Sequence, residues 1–183
     1  MPESAALTMQ SIKTEAVEPQ AHSLGDGFQV RRALPSAQRR MVGPFIFFDE
    51  FGPTVFRAGE GVDARPHSHI GLATLSYLIE GNIVHRDSAG HIQSIAPGEV
   101  NRMTAGRGIV HSERTSIDAR AAGGTMFGQQ LWIALPRSHE ETAPASLIML
   151  RTCSQRLRVT AHPRHSLQAR PSDVAHRSQF TPT

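Results

Sequence analysis

The sequence predicts an all-β fold, a small barrel or sandwich, and three observations carry that expectation. Between residues 26 and 137, runs of four to ten apolar or β-favouring residues alternate with Gly, Pro and Asp turn clusters, the punctuation of many short strands. No stretch of this zone has a convincing 3.6-residue apolar period. The chain of 183 residues is long enough for one ordinary domain with a real core.

The runs follow in order. Phe45-Ile46-Phe47-Phe48 is apolar and ends at Asp49-Glu50 and Gly52-Pro53. Ile70 to Ile79 is closed by Glu80-Gly81, and Asn82 to Arg86 by the turn cluster Asp87-Ser88-Ala89-Gly90. His91 to Ala96 stops at Pro97-Gly98, where proline pre-sets the first turn dihedral and glycine tolerates positive φ. Val100 to Met103 precedes the turn Ala105-Gly106-Arg107-Gly108, which leads into Ile109-Val110-His111. Gln129 to Leu135 is a last run, closed by Pro136.

Composition narrows the function classes. A single cysteine, Cys153, excludes a disulfide within the chain and a Cys-rich zinc site, and makes a reducing, cytoplasmic setting the expectation. No apolar run is long enough to span a bilayer, and Met1 to Gln20 lacks the apolar stretch of a secretory signal. The pI near 10.0 invites a nucleic-acid reading, but residues 1–143 carry a net charge of −2, and the six arginines and one acid of residues 144–183 hold the excess. With 5% aromatic residues as well, direct nucleic-acid binding is not expected.

The chemistry sits in two dyads, His67-Ser68-His69 and His111-Ser112-Glu113. On a strand, residues i and i+2 share a face, so each dyad aims two donor groups at one point. On neighbouring strands the four groups converge, and three imidazoles with one carboxylate suit a first-row divalent metal. One dyad alone is weak: with 10 histidines in the chain, roughly one chance H-x-H occurs in every two such sequences. Both dyads, however, follow small-residue turns, Pro66 before one and Gly106 and Gly108 before the other. His85 and His91 flank a turn and are read as ordinary histidines without a ligand-type partner two residues away.

Asp63 to Thr74, containing Arg65-Pro66-His67-Ser68-His69-Ile70-Gly71, closely resembles the pirin family of the cupin superfamily. So do Tyr77-Leu78-Ile79-Glu80-Gly81, His85-Arg86-Asp87-Ser88 and Asn101 to Glu113. Gly43-Pro44-Phe45 with Phe48-Asp49 is similar to the family's N-terminal block, and Gln130-Leu131-Trp132 to Leu135-Pro136 to the block closing its first cupin domain.

The resemblance implies a cupin-type β-barrel (double-stranded β-helix or jelly roll) over residues 25–143, with 1–24 a disordered lead-in and 144–183 a basic, low-order tail. His67, His69, His111 and Glu113 correspond to the family's iron ligands, one Fe(II) per chain, although the donor set also admits other divalent first-row metals. Ala73 stands where the wider cupin pattern often has a glutamate, so the acid comes from Glu113. Pirins have two cupin domains, and residues 144–183 do not look like the second. A truncated or frameshifted gene product is the expectation drawn from this.

Three functions follow from the resemblance. One is quercetin 2,3-dioxygenase activity, the O₂-dependent opening of a flavonol ring, in which Glu113 also takes the substrate hydroxyl proton. Phe45 to Phe48 and Met103 would then be either pocket wall or, more simply, core. The second is metal- and redox-dependent binding of a protein partner, a transcription factor or a metabolic enzyme, with Arg65, Arg102, Arg107 and Arg114 near the ligands in sequence. Pairing with Glu60, Asp63 or Asp118 is the plainer role for these arginines. The third is an inactive remnant.

Overall fold

The computed structural model describes residues 15–24 and 28–149. The expected disorder of residues 1–14 and of the tail from residue 150 onward lies outside the described residues.

Among the described residues, eleven strands form two antiparallel sheets. The larger sheet takes β1 (Gln20–Ser23), β2 (Gln29–Leu34), β3 (Phe45–Phe56), β5 (Leu72–Glu80), β8 (Val100–Thr104), β10 (Gly124–Ala134) and β11 (Ala145–Met149), in the order β1-β2-β3-β10-β5-β8-β11. The smaller contains β4 (Asp63–His69), β6 (Ile83–Asp87), β7 (Ile92–Ile95) and β9 (Ile109–Thr115), in the order β4-β9-β6-β7. From β3 to β10 the chain crosses between the sheets at every step except the β6–β7 hairpin, the arrangement of a cupin-type jelly roll.

The expected turns fall where the runs end. The Asp87-Ser88-Ala89-Gly90 cluster joins β6 to β7, which pair from Ile83↔Ile95 to Arg86↔Ile92. Gly106, between β8 and β9, has φ +52, and a Cβ there would lie 2.0 Å from the Thr142 carbonyl oxygen. Only glycine permits this approach, which matters because the turn delivers β9 to the site.

Alternation decides the core. Val30, Phe51, Leu78, Ile83, Ile95 and Met126 form one buried cluster from both sheets, with Phe28, Phe56, Val62 and Ile148 packed against it. Complete burial of a side chain such as Leu78 (0% exposed) contributes about 1.5–3 kcal/mol. Met103, Ala105 and Ile109 form a second cluster, so Met103 is core rather than pocket wall.

Two boundaries shift from expectation. Gln20–Ser23, inside the presumed lead-in, pairs with β2 as the edge strand β1. Its residues are all exposed, so the backbone ladder rather than burial defines it, and polarity gave no warning. Ala145–Met149, inside the presumed tail, pairs with β8 as β11. Ile148 reaches the core while Leu147 and Met149 face outward, a period-2 pattern that composition had hidden. A short helix, α1 (Ile117–Ala122), capped by the Ser116 side chain, carries the chain from β9 to β10.

Candidate metal centre

The two dyads lie side by side because β4 pairs with β9, placing His67 opposite His111. The ladder slips between Ala64, opposite Glu113, and His67, so β4 carries one extra residue there. Without it, Pro66 and Ser68 would share the inward face with Ala64, since a one-residue shift reverses every side chain. The irregularity at Arg65-Pro66 turns His67 and His69 inward instead, and Pro66, which has no N–H to donate, is suited to such a break.

Donor atoms of His67, His69 and His111 lie within 4.8 Å of one another, with ring centroids 4.4–5.0 Å apart. His67 is at the exposed rim, whereas His69 and His111 are buried. His67 Nδ1 lies 2.8 Å from the Arg65 carbonyl, which accepts its proton and leaves Nε2 free. His111 Nε2 is buried with no hydrogen-bond partner among the described residues. A buried nitrogen lone pair so placed is costly unless something occupies the gap, and a cation among three imidazoles answers that need. Burial, and then the charge of His67, hold His69 down to about 4; burial, then His67, His85 and His69, hold His111 down to about 3. Both rings are therefore neutral near pH 7, the form that ligates metal.

Glu113 is placed differently. Its carboxylate groups within 4.8 Å with His111 and His85, not with all three clustered histidines at once. Ser76 of β5 donates to Glu113 Oε1 at 2.8 Å and also sits 2.8 Å from the Gln130 carboxamide.

That serine belongs to a polar row on the inner face of the larger sheet. Arg32 is registered with Asp49, Asp49 with Gln130, Gln130 with Ser76, and Ser76 with Asn101. Arg32 grips both oxygens of buried Asp49 at 2.8 Å, and the Asp49 hydrogen bond raises the guanidinium pKa. One step along the strands the row is aromatic: Phe47 stacks on Trp132 at 4.3 Å, the Trp132 ring meets His69 edge-on at 4.9 Å, and Arg32 lies over Phe47 at 4.5 Å. Arg32, Phe47, Asp49, Gln130 and Trp132 wall a cavity of about 800 Å³ that opens beside the histidines and includes Glu113 and Arg65.

Phe47 thus lines the cavity, while Phe45 is 37% exposed. Arg114 faces Asp63 at 3.9 Å, and Asp63 is held at 2.8 Å by Arg120.

His85 departs from expectation. It is fully buried, with Nδ1 3.3 Å from His111 Nδ1 and Nε2 3.1 Å from Asp87 Oδ2. A ligand-type partner does stand two residues away, since His85-x-Asp87 is itself an i, i+2 dyad on β6. Burial tends to raise the Asp87 carboxyl, but hydrogen bonds from Ser146, His85 and His91 outweigh it and keep it well below the ordinary range.

Two antiparallel sheets enclosing a cavity with three converging imidazoles define a cupin-type protein with a site able to hold a metal ion. The sequence model of the pirin family matches residues 27–133, more than half of the chain, and the chain belongs to that family. It is 54% identical over 120 residues to a pirin-like protein of Caulobacter vibrioides, covering 64% of this chain and 41% of that one. It is 47% identical over 131 residues to a Pseudomonas aeruginosa protein provisionally named a quercetin 2,3-dioxygenase, covering 72% of this chain and 40% of that one. A crystal structure of quercetin 2,3-dioxygenase from Acinetobacter baumannii superimposes with a TM-score of 0.67 at 43% identity, over 72% of this chain and 42% of that one. The chain spans about two fifths of the length of these relatives. Among the described residues no helix is long and apolar enough to cross a membrane.

Proposed function

We propose that the chain is a mononuclear Fe(II) protein acting on a flavonol-like aromatic substrate with O₂, in a cytoplasmic setting, with His67, His69, His111 and Glu113 as the metal's protein ligands. The observation that carries it is the gathering of three imidazole donors within 4.8 Å of one another, together with a buried His111 Nε2 that has no hydrogen-bond partner among the described residues. The names of the Pseudomonas and Acinetobacter relatives support the substrate class.

Bound there, iron would supply Lewis acidity and redox capacity to the site. The chain's own groups do the rest. Phe47 and Trp132 offer a stacked aromatic wall beside His69, fitted to orient a flat substrate and exclude water. Glu113, steadied by the Ser76 hydroxyl, is the carboxylate available to take the substrate hydroxyl proton. Of the four arginines behind the regulatory alternative, Arg65 lines the cavity and Arg114 faces Asp63, and no observation favours that reading over this one.

The test is anaerobic reconstitution with Fe(II), metal analysis and quercetin turnover, beside a His67→Ala control. One iron per chain, and turnover that disappears in the control, is the expected result. Folded protein that takes up no metal would overturn the ligand assignment, and iron bound without turnover would overturn the substrate assignment.

A further inference from the structure

We propose that His85 and Asp87 are positioning residues for the metal centre, holding His111 in the tautomer whose Nε2 lone pair points into the histidine cluster. The inference rests on the metal reading above but concerns residues outside the proposed ligand set.

The hydrogen-bond directions can be assigned one after another. An ionised carboxylate only accepts, and Asp87 is saturated with donors: Ser146 Oγ at 2.6 Å, the Ala89 N–H at 2.9 Å, the His91 N–H at 3.1 Å and His91 Nδ1 at 3.0 Å. His85 Nε2, 3.1 Å from Asp87 Oδ2, must therefore donate. A neutral imidazole protonated on Nε2 has its lone pair on Nδ1. That lone pair faces His111 Nδ1 at 3.3 Å, so His111 carries its proton on Nδ1 and donates it to His85. The lone pair left on His111 is on Nε2, the atom found buried and unpartnered. The same logic applies at His67, where the Arg65 carbonyl takes the Nδ1 proton. Ligating histidines generally need such a partner to set ring and tautomer.

The placement follows from the sheet. β6 and β9 register Asp87 with His111 and His85 with Glu113, so both dyads face inward side by side. The turn after β6 supplies the Ala89 and His91 donors, and β11 supplies Ser146. These two segments fix one carboxylate, which fixes His85, which fixes His111.

The alternative occupant is a metal held by His85, His111 and Glu113, whose donor atoms also lie within 4.8 Å. That arrangement would make His85 a ligand rather than a positioning residue.

The test uses the full chain in two measurements. Long-range ¹H–¹⁵N correlation spectra of the metal-free protein, at a pH about two units above the ordinary imidazole pKa, read the tautomers directly. The expected result is a proton on Nδ1 of His111 and on Nε2 of His85; a proton on Nε2 of His111 overturns the proposal. Co(II) titrations, read by affinity and visible spectrum, then compare wild type with His85→Leu and His85→Gln. Leucine removes the acceptor and should weaken Co(II) binding about 10–100-fold. Glutamine keeps a carbonyl for His111 and an N–H for Asp87, and should restore affinity and the wild-type spectrum. Unchanged affinity in His85→Leu, or glutamine failing as leucine does, overturns the proposal. If His85→Leu does not fold, the wild-type tautomers and His85→Gln decide. If wild type binds no Co(II), the metal reading falls, while the tautomer spectra still judge the relay.

Discussion

The apolar cluster and the histidine cluster are built by the same rule and put to different use. Both arise from inward-facing residues at period two, the apolar cluster from both sheets and the three histidines from β4 and β9 of the smaller sheet. At the apolar end Leu78, Met126 and Ile95 need only be large and dry. At the histidine end each ring needs a direction, and the protein supplies it: the Arg65 carbonyl for His67, the Trp132 edge for His69, and His85 for His111. Burial stabilises the first region outright, whereas in the second it leaves His111 Nε2 without a hydrogen-bond partner among the described residues.

The largest effect expected from this contrast lies in the apolar cluster. Leu78→Ala should cost about 2–5 kcal/mol, read as a fall in the denaturation midpoint; a loss below 1 kcal/mol would mean the cluster is not the core. A saturating cation comes next. Co(II) at a hundred times its Kd should stabilise the fold by about 2.7 kcal/mol, seen as a rise in Tm that His67→Ala abolishes; an equal rise in that variant would place the ion elsewhere.

Acid provides a subtler comparison. The folded pKa values of His69 and His111 lie at about 4 and about 3, below the ordinary imidazole value near 6.5. Above that value neither state binds the proton, so nothing is lost. As pH falls from about 6.5 towards 4, the unfolded chain takes up protons that the folded chain refuses, and stability drops. The metal-free Tm should therefore decline across this window, and His111→Asn should flatten the decline; a wild-type Tm that stays level would show the two rings are less enclosed than described. The smallest effect is at the rim: Arg120→Ala, which breaks the partly exposed pair with Asp63, should cost about 0.2–1 kcal/mol in urea denaturation, and a larger loss would mean the pair holds α1 in place.

Much of the fold was legible because turn residues and apolar runs are local signals. Strands β5, β6, β7 and β8 fall within two residues of the runs read from Ile70, Asn82, His91 and Val100. Strands β1 and β11 are not evident in the sequence because β1 is a fully exposed edge strand held by its ladder, and the short apolar run of β11 lies in a stretch whose composition is otherwise basic and polar. The dyads His67-x-His69 and His111-x-Glu113 were visible because i, i+2 spacing is itself geometric. His85-x-Asp87 has the same spacing, but nothing local says that β6 lies beside β9.

By itself, then, the sequence determined a β domain with turns at its glycines and prolines, and two pairs of donor side chains each committed to one face of a strand, because these depend on neighbours a few residues away. Tertiary structure alone decided that an extra residue in β4 turns His67 and His69 inward, that Glu113 groups with His85 and His111 rather than with all three clustered histidines, and that Ser146 reaches Asp87 from 59 positions further along the chain. Strand register joins residues far apart in the chain, and no local preference encodes which strand will lie beside which.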